Sequence, residues 1–379
     1  MMTGFKLVLG TPIDAVPRPW HKVRFPGIMV NAYDILTSRR SLGELRGRGL
    51  RRLLGIDDDV ELWIDSGGYQ FLKRGIRIRV DKIARLYREI DADYYVSLDY
   101  PPGPRDPETT RMLKIAKSVE SFLRLRSSLR DVVEEGRLVP VFHMATGEGL
   151  RLQLCEYTPH ASVAAAGGLI PHIMQRSGKG SRKKAVLFLL ILRKLWRGRL
   201  HALGLASAAM IPLLKAIGVD SGDTQTWRIK AAYGKVSIPG LGERHVSGQR
   251  VRFGPAVLRS EEEKKLYMGY IEEARKVLGV DAESLRESFE ARALFNAWTL
   301  LAVSTSNHGY LGSSKAFLNL YNAIESLRSH PVNVLEEKLA ELIAIQPVDE
   351  ATEEIHLSVE APSTPASRAA EAAGAVEQP

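Results

Sequence analysis

The chain has 379 residues, 45% hydrophobic and 26% charged, a composition that suits a globular protein with one large core. Its single cysteine, Cys155, excludes an intramolecular disulfide and a zinc site built from several thiolates, and its nine scattered histidines offer no metal-ligand pair, so neither a metal nor a cofactor is expected. The net charge is +9, and seven acids against Arg368 alone after residue 348 leave the remaining body near +15, which points to a polyanionic partner such as nucleic acid.

Eight short runs rich in β-branched or aliphatic residues recur along the chain: Phe5 to Leu9, Gly27 to Asn31, Val60 to Asp65, Asp93 to Asp99, Leu138 to Phe142, Ala161 to Gly167, Leu200 to Leu205 and Ala216 to Asp220. Helical periodicity lies between several of them. Asp106-Pro107-Glu108 starts one helix, with Asp at the cap and Glu favouring the positive end, and that helix runs towards Gly136. Val80 to Ile90 and Lys184 to Arg197 read the same way. Strands alternating with helices predict a closed (β/α)8 barrel, a TIM barrel over residues 1–258, with a doubly wound sheet as the alternative.

Residues 228 to 258 read as irregular and Gly-rich, and helices follow. Ser260 with Glu263 forms a capping box for a helix to about Leu278, and Ala282 to Val303 and Ser313 to Leu327 continue the pattern, a helical layer over 259–345. From 346 to 379 the chain turns to Ala, Glu, Pro, Ser and Thr, an acidic tail expected to be disordered. The longest apolar run, Ala185 to Leu192, is far too short to span a bilayer, and no signal core is visible, so a cytoplasmic protein without membrane contact is expected.

In a barrel the working residues stand at the carboxyl ends of strands. Asp65 ends the third run in Trp63-Ile64-Asp65-Ser66-Gly67-Gly68-Tyr69-Gln70, Asp99 ends the fourth, and Asp220-Ser221-Gly222-Asp223 follows the eighth. Gly167-Gly168 at the sixth lets a ligand touch main chain. The plainer account of each, a helix cap or a solvated turn, competes with a shared site, and their common position at strand ends favours the site. Carboxylates without metal or thiol suit chemistry at a glycosidic carbon, where one attacks and another moves the proton of the base. That logic does not choose a substrate.

The segment Asp65-Ser66-Gly67-Gly68-Tyr69-Gln70 resembles the signature of the tRNA-guanine transglycosylases. The resemblance continues in order through Val8 to Pro12, Asn31 to Leu36, Gly167-Gly168-Leu169, His201 to Leu205 and Gly218 to Asp223. It implies a (β/α)8 barrel of that family's type in which Asp223 attacks the anomeric carbon and Asp65 is the general acid/base. Asp99 would bind the edge of the incoming base, with Ser66, Gly67, Gly68, Gly167 and Gly168 lining its slot and Tyr69 stacking on its ring. Spacing favours Asp223 over the nearby Asp220 as nucleophile.

The departures narrow the resemblance. The family's usual zinc site of three cysteines and a histidine cannot be built with Cys155 alone. His143 stands where the family often presents a glutamine, and is either its substitute or a core or cap histidine. The run Asp223-Thr224-Gln225-Thr226-Trp227-Arg228 looks like the divergent DNA-acting branch, the DpdA proteins, which exchange guanine for a 7-deazaguanine. DNA and the free 7-deazaguanine base are therefore the favoured partners, with other DNA-modification proteins as further candidates. A zinc-less tRNA-guanine transglycosylase and a catalytically silent binding subunit are the alternatives.

Basic residues fit a nucleic acid of either kind. Gln175 to Lys184, with Arg176, Lys179, Arg182, Lys183 and Lys184, reads as a flexible phosphate-gripping loop on the catalytic face. Trp227 and Arg228 are further candidates for the nucleic acid, Trp227 as a stacking or wedging ring, against the alternative of a tryptophan packed under the rim.

Overall fold

The computed structural model describes residues 4–37, 43, 45, 49–134, 136–174, 181–248, 258, 260–306 and 315–344. Nine strands form one parallel sheet: β1 (Lys6–Gly10), β2 (Gly27–Asn31), β3 (Glu61–Asp65), β4 (Tyr94–Val96), β5 (Leu138–Val139), β6 (Val141–Phe142), β7 (Val163–Ala166), β8 (Arg199–Ala202) and β9 (Ser221–Thr224). Only Pro140 separates β5 from β6. Its carbonyl accepts from the Ala165 N–H at 2.8 Å, but it has no N–H to give, so β5 pairs with β4 and β6 with β7. The two short strands thus share one place in the ring, and the sheet closes on itself through β9 and β1 as the expected (β/α)8 barrel.

Alternation along the strands decides what faces the lumen. Val8, Met29, Trp63, Val96, Val139, Val141, Val163 and Ala165 fill the barrel, while Leu7, Leu9, Ile28, Val30, Leu62 and Ile64 pack under the helices. Register carries the same parity to polar residues. Val8 pairs with Asp223 and Ala165 with His201, so both of those side chains point inward, and Asn31 pairs with Asp65 two residues above the inward Met29 and Trp63. The lower end of the lumen is polar, with Arg199 donating to the Tyr94 hydroxyl at 2.6 Å and Lys6 paired with Glu61 at 2.5 Å.

The eighth barrel strand is not Ala216 to Asp220. Residues 216 and 217 end the helix Ile211–Ile217, which stops at Gly218 in the left-handed region, φ 91°, and the strand is Ser221–Thr224. Ser-Gly-Asp-Thr has little intrinsic strand character, and its pairing with β1 on one side and β8 on the other overrides that. The segment expected to be irregular after residue 228 is ordered through 248. It continues the helix Thr226–Ala232 and then forms an antiparallel hairpin, β10 (Lys235–Ile238) and β11 (Gly242–His245).

Helices Glu261–Leu278, Ala282–Glu287, Phe289–Thr305, Lys315–Leu327 and Val332–Ala344 follow. The Ser260 hydroxyl accepts from the Glu263 N–H, as its spacing predicts. One predicted helix, Ala282 to Val303, is two, because Ser288 leaves the helical region and caps the second by accepting from the Ala291 N–H. That second helix packs against β1 and the helix Thr226–Ala232, and its Asn296 amide donates to the carbonyls of Trp227 and Lys235. The described residues up to Ala344 belong to one compact unit. The expected tail, 346–379, lies outside the described residues. No helix among the described residues is long and apolar enough to cross a membrane.

Candidate active site

Asp65 closes β3 with its side chain in the lumen, and the Asn31 amide donates to its Oδ2 at 2.5 Å. Burial pushes its pKa up to about 8, the negative charges of Asp99 and Asp223 push in the same direction, and a hydrogen bond from the Gly67 main chain opposes them. Gly67 sits at φ +78°, and a Cβ there would fall 2.6 Å from Asn31 Oδ1. Gly68 then starts the short helix Gly68–Lys73 with Asp99 directly against it. Tyr69, on the first turn of that helix, is 50% exposed and presents a free ring.

Asp99 lies three residues beyond the end of β4, with only 8% of its surface exposed, and burial pushes its pKa up to about 7. His143 follows β6 and is fully buried, with Nε2 3.4 Å from Asp99 Oδ2. Burial holds the His143 imidazole down near 4, so at neutral pH this contact joins a neutral ring to a carboxyl group and is not an ion pair. Neither ring nitrogen completes a well-formed hydrogen bond, although the main chain of His143 is clamped by Gln153 on both sides. A Cβ on Gly168 would touch His143 Nδ1 at 3.4 Å, and one on Gly167 would stand 3.7 Å from Asp99 Oδ2, so the end of β7 meets the same place. Beside it a small cleft lies between Gly167-Gly168, Pro102, Gly103, Met144, Arg111 and His172.

Asp223 is one of the four residues of β9, 8% exposed, and enters the lumen rather than following the strand as a loop residue. The Gly204 N–H donates to its Oδ1 at 2.6 Å, and His201 Nε2 stands 3.2 Å from the same oxygen. Asp220 has a different task. Its Oδ2 accepts from Arg193 of the helix Ser181–Leu195 at 2.8 Å and from the Leu200 N–H at 2.8 Å, on the side of the sheet opposite to Asp223. Asp220 is thus engaged with the scaffold, whereas Asp223 enters the lumen.

The basic candidates divide. Arg176 and Lys179 lie outside the described residues. Arg182, Lys183 and Lys184 are not loop residues but the start of the helix Ser181–Leu195, with Arg182 donating to the Ile173 carbonyl at 3.0 Å. Lys184 is part-buried, and burial together with the Arg111 charge lowers its pKa. Of the two readings of Trp227 the packed one holds in place of the stacking one: it is 0% exposed, its indole N–H donates to the Gly10 carbonyl at 2.9 Å, and no face is left for a base. Arg228 is half-buried over the rings of Trp227 and Phe289, with Nη1 unpaired among the described residues, and its charge acts on Asp34 in the short helix Ala32–Thr37 that follows β2.

Sequence reasoning passed over Asn31, Asp34 and His201 as site residues. The available signal was parity: Asn31 and His201 are polar residues at positions where an otherwise apolar strand turns its side chains inward. Among the described residues Ser66 Oγ and Gln70 Oε1 are buried without a hydrogen-bond partner, and the His143 ring makes only its long contact to Asp99 and one to the Gly167 main chain. Among the described residues no cluster of three or more His, Cys, Asp or Glu could hold a metal, and the zinc site of the resembled family does not fit this chain, whose one cysteine is exposed on the helix Gly147–Tyr157.

No protein-family model matches the chain. It is 26% identical over 213 residues to Uncharacterized protein 306 of Sulfolobus islandicus rod-shaped virus 1, a match covering 55% of this chain and 61% of that protein. It is 25% identical over 226 residues to the tRNA-guanine(15) transglycosylase of Methanopyrus kandleri, covering 57% and 46%. It is 27% identical over 223 residues to the protein of the same name from Nanoarchaeum equitans, covering 58% and 51%. The chain spans about half to three-fifths of the length of the curated relatives it matches. Together with the parallel barrel, the two transglycosylase matches support a distant relationship to the tRNA-guanine transglycosylase superfamily.

Proposed function

We propose that the chain exchanges guanine for a free 7-deazaguanine base within a polynucleotide by double displacement. The observation that carries this is the convergence of Asp65, Asp99 and Asp223 from three different strands, with Asp223 held through one oxygen only. Asp223 Oδ2 attacks the anomeric carbon, the bond to the guanine nitrogen breaks, and its electron pair takes a proton from Asp65, which is protonated at neutral pH. The incoming base then attacks the same carbon, gives its proton to Asp65 and releases the Asp223 carboxylate. Two inversions retain the configuration. Asp99 and the Gly167-Gly168 main chain read the base edge, and Tyr69 covers its ring.

The run Asp223 to Arg228 favours DNA as the polymer, whereas the names of two relatives favour tRNA. Arg182, Lys183 and Lys184, at the start of the helix Ser181–Leu195, supply phosphate contacts in either case. The test offers purified protein a tRNA transcript and duplex DNA side by side with labelled guanine and a 7-deazaguanine. Asp223→Ala and Asp65→Ala are expected to abolish incorporation while the protein stays folded, and full activity of the Asp223 variant removes the proposed nucleophile. Incorporation into tRNA alone overturns the DNA preference.

A further inference from the structure

We infer that His201 is a positioning residue for the Asp223 carboxylate, set in one tautomer by Ser221 and in one orientation by Trp63; this rests on the reading of Asp223 as nucleophile. His201 is fully buried on β8, in the strand next to β9. Its Nδ1 lies 2.9 Å from Ser221 Oγ and its Nε2 3.2 Å from Asp223 Oδ1. A carboxylate can only accept, so Nε2 carries the proton and donates to Oδ1, while Nδ1 accepts the Ser221 hydroxyl proton.

The ring plane is fixed independently. His201 stacks on Trp63 with centroids 4.5 Å apart and planes at 25°, and Trp63 stacks in turn on Tyr94 at 4.2 Å and 29°. Arg199 anchors the bottom of that pile by donating to the Tyr94 hydroxyl. Every contact in the pile is made in the lumen by residues of the inward parity, which is why a tryptophan two positions before Asp65 can govern an aspartate on the far side of the barrel.

The consequence is an asymmetric carboxylate. Oδ1 holds two donors, His201 and the Gly204 N–H, and Oδ2 accepts from nothing among the described residues. Oδ2 is therefore the oxygen that bonds to the anomeric carbon, and Oδ1 becomes the carbonyl oxygen of the resulting ester. When the second base attacks, the bond between Oδ2 and the anomeric carbon breaks and its electron pair returns to the carboxylate. The charge that reappears there meets the same two donors, which makes Asp223 a better leaving group in the second displacement.

His201→Phe keeps a flat ring on Trp63 and removes the donor, whereas His201→Gln keeps an N–H that can reach Oδ1. In labelled-guanine exchange with tRNA transcript and duplex DNA, His201→Phe is expected to lower kcat by roughly 10–100-fold with KM for the base unchanged, and to accumulate the covalent adduct on denaturing gels. His201→Gln is expected to recover most of the loss. Ser221→Ala, a small change that leaves the ring in place, is expected to lower kcat several-fold. Equal losses in the Phe and Gln variants, or a His201→Phe kcat within about twofold of the parent, overturn the proposal. A readout that needs no substrate is the 15N spectrum of the His201 ring, assigned with the Gln variant: Nε2 carries a proton, and an unprotonated Nε2 overturns the assignment. Asp223→Ala measured alongside keeps the two readings apart, since an active Asp223→Ala removes the nucleophile, while an inactive one beside an unimpaired His201→Phe removes only the role of His201.

Discussion

Gly68 lies so close to Asp99 that a Cβ on it would stand 2.5 Å from both the carbonyl oxygen and Oδ1 of that residue. Two loops, one after β3 and one after β4, are thus in backbone contact at the floor of the candidate base slot. Alanine would suit the helix that begins at Gly68, by about 1 kcal/mol, so local propensity and tertiary fit pull in opposite directions. The clash is with backbone and a buried carboxylate, so fit decides. Gly68→Ala is expected to cost about 1–3 kcal/mol in stability and to raise KM for the free base more than 10-fold as Asp99 is displaced. Urea titration and base-exchange kinetics check both, and unchanged kinetics show that Asp99 is not part of the slot.

Burial raises Asp65 to about 8 and Asp99 to about 7 from an ordinary 3.8. A carboxyl group whose folded value is raised makes the native state bind more protons than the unfolded chain, so stability falls as pH rises from about 4 to about 8, by up to about 1.4 kcal/mol per pH unit for each group. Asp65→Asn removes one such group. Its melting temperature is expected to match the parent near pH 4, exceed it increasingly up to pH 8 and hold a constant lead above that. Thermal melts across this range suffice, and a lead that shrinks with rising pH contradicts the raised value.

The same protonation gives a kinetic expectation. Asp65 must carry a proton to release guanine, so the first displacement should fall by tenfold per unit above about pH 8. Single-turnover formation of the covalent adduct, measured from pH 6 to 10, isolates that step. A flat profile would deny Asp65 the role of general acid.

Asp220 and Asp223 sit three residues apart and should fail differently. Asp220→Ala loses the bonds from Arg193 and the Leu200 N–H and is expected to destabilise the fold by about 1–3 kcal/mol while the folded fraction retains exchange activity. Asp223→Ala is expected to melt near the parent and to have no activity. Exchange assays normalised to folded protein separate the two, and the reverse pattern would make Asp220 the nucleophile.

Trp227 provides a control on the nucleic-acid surface. Fully buried and bonded to Gly10, it is expected to cost about 3–5 kcal/mol when changed to alanine, without a change in polynucleotide affinity at temperatures where the variant is folded. Weaker binding at unchanged stability would restore it as a contact residue.

Much of the barrel was legible because seven aliphatic runs that stop at turn-forming residues cover its first eight strands, and three acids at or near strand ends mark the candidate site. β9 was not, since Ser-Gly-Asp-Thr has no aliphatic run of its own and the stronger local signal, Ala216-Ile217, belongs to a helix end. His201 was hidden for another reason. Alternation alone marks it as opposite in side to Leu200 and Ala202, and only its pairing with Ala165 says which of the two sides is the lumen. For Trp227 a stacking ring and a packed one both stood open, because the helix that packs on its segment, Phe289–Thr305, comes some sixty residues later.

The four-residue β9 also sets a question of height. Parallel strands alternate sides with every residue, so sliding β9 by one position would turn Asp223 out towards the helices and bring Gly222 or Thr224 into the lumen. Asp220 stops such sliding from below: its carbonyl accepts from Lys6 at 2.9 Å, its N–H donates to Leu200 at 3.0 Å, and its carboxylate ties the strand to the helix bearing Arg193. Its main chain acts as the index mark of the barrel, which is why the strand's height is expected to survive the loss of the Asp220 side chain in the variant above.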